Sequence, residues 1–259
     1  MPVPSLSTSS GPASRFDRLD ALRGVAIVWM ASFHFCFDLN HYGLLTPAQR
    51  FLSDPFWTLQ RASIVTLFLL CAGMGQAVAL HAGQGWPRFW RRWWQVAGCA
   101  VLVSAGSALM FPQTWISFGV LHGIACMLLF IRLTVPALQR VVGAATVPLL
   151  LVAAGFAWAA PAWLQHPFFN SRWGNWTGLV TRLPYAEDYV PVLPWLGVML
   201  VGVALGLLSL KHRRHWLAGP IPAVLQPLAR LGRWSLTFYM LHQPVLIGGL
   251  LAWLAFVRV

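Results

Sequence analysis

Residues 20–39, DALRGVAIVWMASFHFCFDL, form an apolar run long enough to span a bilayer, yet it carries His34 and Asp38 where a lipid-spanning helix should hold no ionisable side chain. Charge inside a membrane is costly, so such residues mark a functional site first. Arg23 and His34 lie eleven positions apart, about 16 Å of helix, or half of a hydrocarbon core about 30 Å thick. His34 and Asp38 are four apart and share a helix face, which lets the carboxylate accept from the imidazole and fix its tautomer. A polar pair satisfied only structurally is the competing reading.

Composition sets the class. Of 259 residues, 58% are hydrophobic and 9% charged, with 15 Trp, and the apolar runs are too long and numerous for a soluble domain. An all-α, polytopic transmembrane helix bundle is expected. A net charge of +12 would suggest nucleic acid in a soluble chain, but the basic residues sit between apolar segments, where they set topology. No nucleic-acid partner is expected; membrane lipid is. Cys36, Cys71, Cys99 and Cys126 all fall in apolar runs without the close spacing of a redox or zinc motif, and read as small buried hydrophobes. No metal is implied, because the histidines sit on separate spans and Asp38 is the only nearby carboxylate.

Hydropathy gives about seven spans, near 22–40, 56–80, 93–111, 116–132, 142–162, 190–210 and 233–256, the fourth shortest. Residues 1–20, rich in Ser and Pro, read as a disordered cytoplasmic tail, and 21–259 as one transmembrane domain with its largest loop at 163–189. That loop holds Phe168, Phe169, Trp173, Trp176, Arg172, Arg182, Glu187 and Asp188 and is the expected external substrate surface. With a cytoplasmic N-terminus, the inner side carries Arg15, Arg18, Arg23, Arg88, Arg91, Arg92, Arg132, Arg140, Lys211, Arg213, Arg214, Arg230 and Arg233. The outer side keeps only Arg50, Arg61, Arg172, Arg182 and Arg258, which fits the positive-inside rule with the C-terminus outside. Trp86, Trp90, Trp93 and Trp94 read as an interfacial belt, and Gly73, Gly75, Gly202 and Gly206 as sites of close helix contact.

Depth along the spans places His122 and His242 near the midplane beside His34, and Arg61 near the level of Asp38, where an ion pair would offset the cost of burying either charge. One polar cavity is the expectation. Imidazole is the unperturbed side chain that works as a base near neutral pH, and Arg61, Gln243 and His242 are candidate donors to a developing oxyanion, supported by Tyr239 and Ser235. His122 is equally readable as a packing residue, and Arg61 as a simple counter-ion.

The run from Arg18-Leu-Asp-Ala-Leu-Arg-Gly through His34-Phe-Cys-Phe-Asp38-Leu resembles the first-helix signature of the membrane acetyltransferases named for heparan-α-glucosaminide N-acetyltransferase, in their short bacterial form. The Arg23 to His34 spacing is also similar to that of integral-membrane sugar acyltransferases. Val192-Leu-Pro-Trp195-Leu-Gly and Leu231-Gly-Arg-Trp-Ser-Leu-Thr-Phe-Tyr-Met-Leu-His242-Gln-Pro resemble later segments of the same family. The resemblance implies transfer of an acetyl group from cytoplasmic acetyl-CoA, or another acyl-CoA, to an amine or hydroxyl of an external glycan, in a bacterial inner membrane. It implies a buried histidine acting as base or acyl carrier, carried over to His34; the residues themselves, independently of the resemblance, offer Asp38, Arg61 and His242 to complete the catalytic set. Arg23 is carried over as the motif arginine. Arg88, Arg92, Arg213, Arg214 and Arg233 would hold the CoA phosphates, and Asp20, His122, Trp195, Tyr239 and Gln243 the acceptor. The lysosomal member's histidine lies after the first helix, where this chain offers His41 without a clear match. A proton-coupled transporter using the same buried groups, or a structural membrane protein, are the other readings. A cavity for CoA plus a sugar also calls, on size, for a homodimer.

Overall fold

A computed structural model describes residues 16–186 and 188–257, which are helices and loops with no strand among them. Arg15, Glu187, Arg258 and most of the expected tail lie outside the described residues. The long helices are α1 (Asp17–His41), α2 (Pro55–His81), α3 (Trp86–Met110), α4 (Val120–Val142), α5 (Thr146–Trp163) and α6 (Val192–His212). A short amphipathic α7 (Gln226–Arg233) then leads into the last long helix, α8 (Ser235–Val257).

By length and hydropathy six stretches qualify as spans, one of them the 44 residues Val120–Trp163. A straight helix of that length would run about 66 Å, roughly twice a hydrocarbon core. Gly143, with φ of +51°, and the 3₁₀ turn Gly143–Ala145 break it into α4 and α5. Seven apolar helices result. Several expected ends shift. Residues 17–20, read as tail, are the first turn of α1, where Asp17 and Asp20 suit the helix dipole. The fourth span is not the shortest, because α4 continues through Arg132, Gln139 and Arg140 after hydropathy has fallen; α5, with 18 residues, is shorter, and α2, with 27, is the longest. The start of α2 is fixed locally, with Pro55 in the first turn and the Asp54 carboxylate accepting from Phe56 N–H at 2.8 Å.

Close contacts fix the helix directions. Arg23 near the start of α1 reaches the Cys71 carbonyl at 3.4 Å, whereas Trp29 further along donates to Gln60 at 2.9 Å, so α1 and α2 run antiparallel. α2 and α6 run parallel and touch backbone to backbone: a Cβ at Gly73 would overlap the Met199 carbonyl, and one at Gly202 would crowd Leu70. α5 returns against α6, with His166 N–H donating to the Leu179 carbonyl beside the start of α6. Gly232 lies against the Asp20 carbonyl, which seats α7 on α1 and starts α8 at the same end. Helices α1, α2, α4, α3 and α8 thus form a ring, with α6 packed outside on α2 and α5 on α6. Arg18, Arg23, Arg88, Arg91, Arg92, Arg132, Arg140, Lys211, Arg213, Arg214, Arg230 and Arg233 all fall at one end of the bundle, and Arg50, Arg172 and Arg182 at the other.

Trp93 leaves the expected belt and turns inward, donating its indole N–H to the Ala125 carbonyl at 2.8 Å. The buried Arg132 guanidinium lies over the Trp86 and Phe89 rings and also donates to the Gln84 carbonyl. The four cysteines are free thiols; Cys71 is buried as expected, but Cys126 faces outward from α4.

Candidate active site

The ring encloses a cavity of about 810 Å³ that runs most of the length of the bundle. At the basic end it is lined by Arg23, Gln84, Arg92 and Arg233; at the far end by His41, Tyr42, Leu52, Met110 and Phe111. Between them lie His34, Asp38, Arg61, Gln76, Asp188, Tyr239, His242 and Gln243. That volume is already in the range of ligand and cofactor pockets, so size alone does not call for a second subunit.

At mid-depth α1 and α8 bring two imidazoles together, the rings of His34 and His242 having centroids 5.1 Å apart. His242 is oriented by its own helix. Its Nδ1 lies 2.7 Å from the Tyr239 carbonyl, which only accepts, so Nδ1 carries the proton and Nε2 keeps a lone pair. Phe238 stacks on the same ring at 9°. Nε2 of His242 is buried with no partner among the described residues. His34 makes edge contact with Phe33 and faces the cavity, its nitrogens without a protein hydrogen bond among the described residues.

Asp38, one turn further along α1, is buried, and its Oδ1 accepts from Gln243 Nε2 at 3.4 Å. The expected hydrogen bond from His34 to Asp38 does not form, and neither does the Asp38 to Arg61 ion pair. Among the described residues the ion pair that forms is Arg23 with Asp20, at 2.9 Å. Oδ2 of Asp38 and Oε1 of Gln243 are buried without partners, an expensive arrangement for an apolar bundle unless something supplies the missing hydrogen bonds.

Arg61 turns toward Asp188 instead. This carboxylate comes from the loop before α6 and accepts from Val120 N–H at 2.8 Å, capping α4. Burial pushes the Asp188 carboxyl up from its ordinary value, opposed by the Val120 hydrogen bond and the Arg61 charge. Next to it, burial raises the Tyr189 phenol to about 12, and its hydroxyl donates to the Asn175 carbonyl at 2.6 Å. Hydropathy treats Asp188 as a solvated loop residue. Gln76, an amide inside the apolar run of α2 whose Oε1 is likewise unpartnered, was findable as an intramembrane polar group.

Other expected residues stand apart from the cavity. His122 lies in the first turn of α4 and not near the midplane: its Nδ1 accepts from Gly119 N–H at 3.2 Å and its Nε2 meets Ser104 Oγ at 3.3 Å. The helix starts at Val120, four residues later than expected, which moves His122 toward the end. Trp195 borders a separate small void of about 80 Å³ behind Arg61 and Asp188. Asp20 holds Arg23, while Arg88, Arg213 and Arg214 sit at the basic end outside the cavity lining, Arg214 over the Phe16 ring. Tyr239 and Ser235 line it.

A multi-pass helical membrane protein whose core is a polar-centred cavity, basic at one end, defines the class. The profile of the heparan-alpha-glucosaminide N-acetyltransferase catalytic family matches residues 15–244, and the chain belongs to that family. It is a membrane-bound acetyltransferase. No curated protein and no solved structure matches the chain.

Proposed function

We propose that the chain moves an acetyl group from acetyl-CoA, held at the basic end of the cavity, to an amine or hydroxyl of a glycan at the opposite end, across a bacterial inner membrane. The observation that carries this reading is the continuity of one cavity from Arg23, Arg92 and Arg233 past the His34 and His242 pair to His41 and Phe111. The basic end faces the cytoplasm by the positive-inside rule, where CoA is found, and its guanidiniums suit the CoA phosphates.

His34 is the base. The acceptor nitrogen or oxygen bonds to the thioester carbonyl carbon as His34 takes its proton; the C–S bond then breaks, and the CoA thiolate leaves with that proton. Asp38 orients the acceptor through its buried, unpartnered Oδ2, and Gln243 holds Asp38. Arg61 lines the same cavity and donates to the tetrahedral oxyanion, a contribution of a few kcal/mol in a dry site.

Calorimetric titration of acetyl-CoA into the detergent-purified protein tests the donor end. Arg233→Ala is expected to weaken binding about tenfold, with a shallower salt dependence, the equivalent of about 1.4 kcal/mol. Absence of saturable binding to the folded wild type overturns the donor assignment.

A further inference from the structure

The wall of the cavity is uneven. Helices α3 and α8 are the most weakly joined neighbours in the ring, and the apolar cluster they share holds Val96, Ala100 and Val103 of α3 with Leu236, Tyr239 and Met240 near the start of α8. Outside that cluster the cavity is lined on α3 by Leu102, Gly106 and Met110, and on α8 by Pro244, Gly248 and Leu251. Each trio occupies one helix face. Leu102 is 63% exposed and Met110 56%, although both line the cavity, and a Cβ added at Gly106 or Gly248 would meet nothing within 4 Å. The site therefore opens sideways through an apolar seam, within two helices that are themselves apolar enough to span.

We infer that the acceptor is lipid-anchored and enters through this seam, its polar head at Asp38 and His34 and its hydrocarbon tail leaving between α3 and α8. This rests on the acetyltransferase reading above and names its acceptor class. From Gln243 to Leu251 is eight residues, about 12 Å of helix, over which the α8 side of the wall changes from Gln243, whose unpartnered oxygen lies by that of Asp38, to the apolar Pro244, Ile247, Gly248 and Leu251. That gradient matches a molecule with a hydrogen-bonding head and an acyl or isoprenoid tail. A wholly soluble sugar has no use for the apolar stretch, and an ordinary phospholipid leaves the buried oxygens unpaired. The chemical step is unchanged; only the acceptor's route is new.

The test uses dodecyl β-D-glucosaminide bearing a diazirine in its alkyl chain, with the full-length protein in phosphatidylethanolamine and phosphatidylglycerol nanodiscs. Photolabelling is expected to concentrate on residues 102–110 and 244–251, to be competed by unlabelled dodecyl glucosaminide, and to fall at least tenfold in Gly248→Trp. Gly106→Trp gives an independent block from the facing helix, and since a Cβ at either glycine meets nothing within 4 Å, acetyl-CoA binding is expected to be retained and is read as the sign of an intact fold. Label spread evenly over outward-facing Leu151, Val152 and Trp158, and unmoved by either variant, overturns the inference as ordinary bilayer contact. A seam protected from label in a dimer that Gly248→Trp dissociates overturns it in favour of a second copy. With acetyl-CoA bound and the seam unlabelled, only the acceptor class fails; with the seam labelled and no acetyl-CoA bound, the donor reading fails instead.

Discussion

Replacing His34 with glutamine lowers acetyl transfer by about 10²- to 10⁴-fold, the usual worth of a positioned general base, while acetyl-CoA binding stays within about twofold of wild type. Glutamine keeps the polarity and approximate volume of the side chain but titrates nowhere near neutral pH. The separation of effects follows from distance: His34 lies about 16 Å of helix beyond Arg23, so the proposed phosphate site and the proposed base lie at different depths. Initial rates with radiolabelled acetyl-CoA, beside calorimetry on the same preparations, check both halves. Transfer undiminished in His34→Gln removes His34 from the mechanism.

Gly73→Val or Gly202→Val, far from that chemistry, is expected to be as damaging through the fold. Helices α2 and α6 approach until the backbone of one occupies the space a Cβ of the other would need: Gly73 faces the Met199 carbonyl and the Val203 nitrogen, and Gly202 faces Leu70. Backbone atoms cannot swing aside as a flexible side chain does, so a valine at either position forces the helices apart and empties the contacts of Leu69, Met199 and Val203, all fully buried. The cost is about 3 kcal/mol or more, the range of severe overpacking. A thermal-melt series in detergent, with gel filtration, reads it as a lower Tm and loss of the monodisperse peak. Gly98→Val and Gly155→Val, where a Cβ meets nothing within 4 Å, serve as controls and leave both unchanged. Equal behaviour of the two pairs contradicts the close-packing account.

Depth along a helix is readable from a sequence, and rotation about it is not. Arg23, His34, Asp38 and His242 were legible because polar residues in apolar runs are conspicuous and a rise of about 1.5 Å per residue sets their level. Which of them face one another depends on how the helices turn. Asp38 meets Gln243 of α8 and not Arg61, because α2 aims Arg61 at the loop carboxylate of Asp188. The burial of Asp188 is created by the loop folding over the start of α4, which leaves no mark in local hydropathy. His122 was misplaced for a simpler reason: a helix end moved by four residues shifts a side chain by about one turn. The all-α, polytopic class survived these shifts, although six stretches qualify as spans and the fourth and fifth expected ones fall within the single stretch Val120–Trp163, broken at Gly143.

Proteoliposomes holding the protein, with acetyl-CoA on one side of the membrane and dodecyl β-D-glucosaminide added on the other, measure the central claim directly. The N-acetylated product is predicted on the side opposite the acetyl-CoA, formed only when the donor is added to the face that exposes Arg92 and Arg233 and abolished in His34→Gln. Product confined to the donor's own side, in vesicles shown to be sealed, would contradict transfer through the cavity.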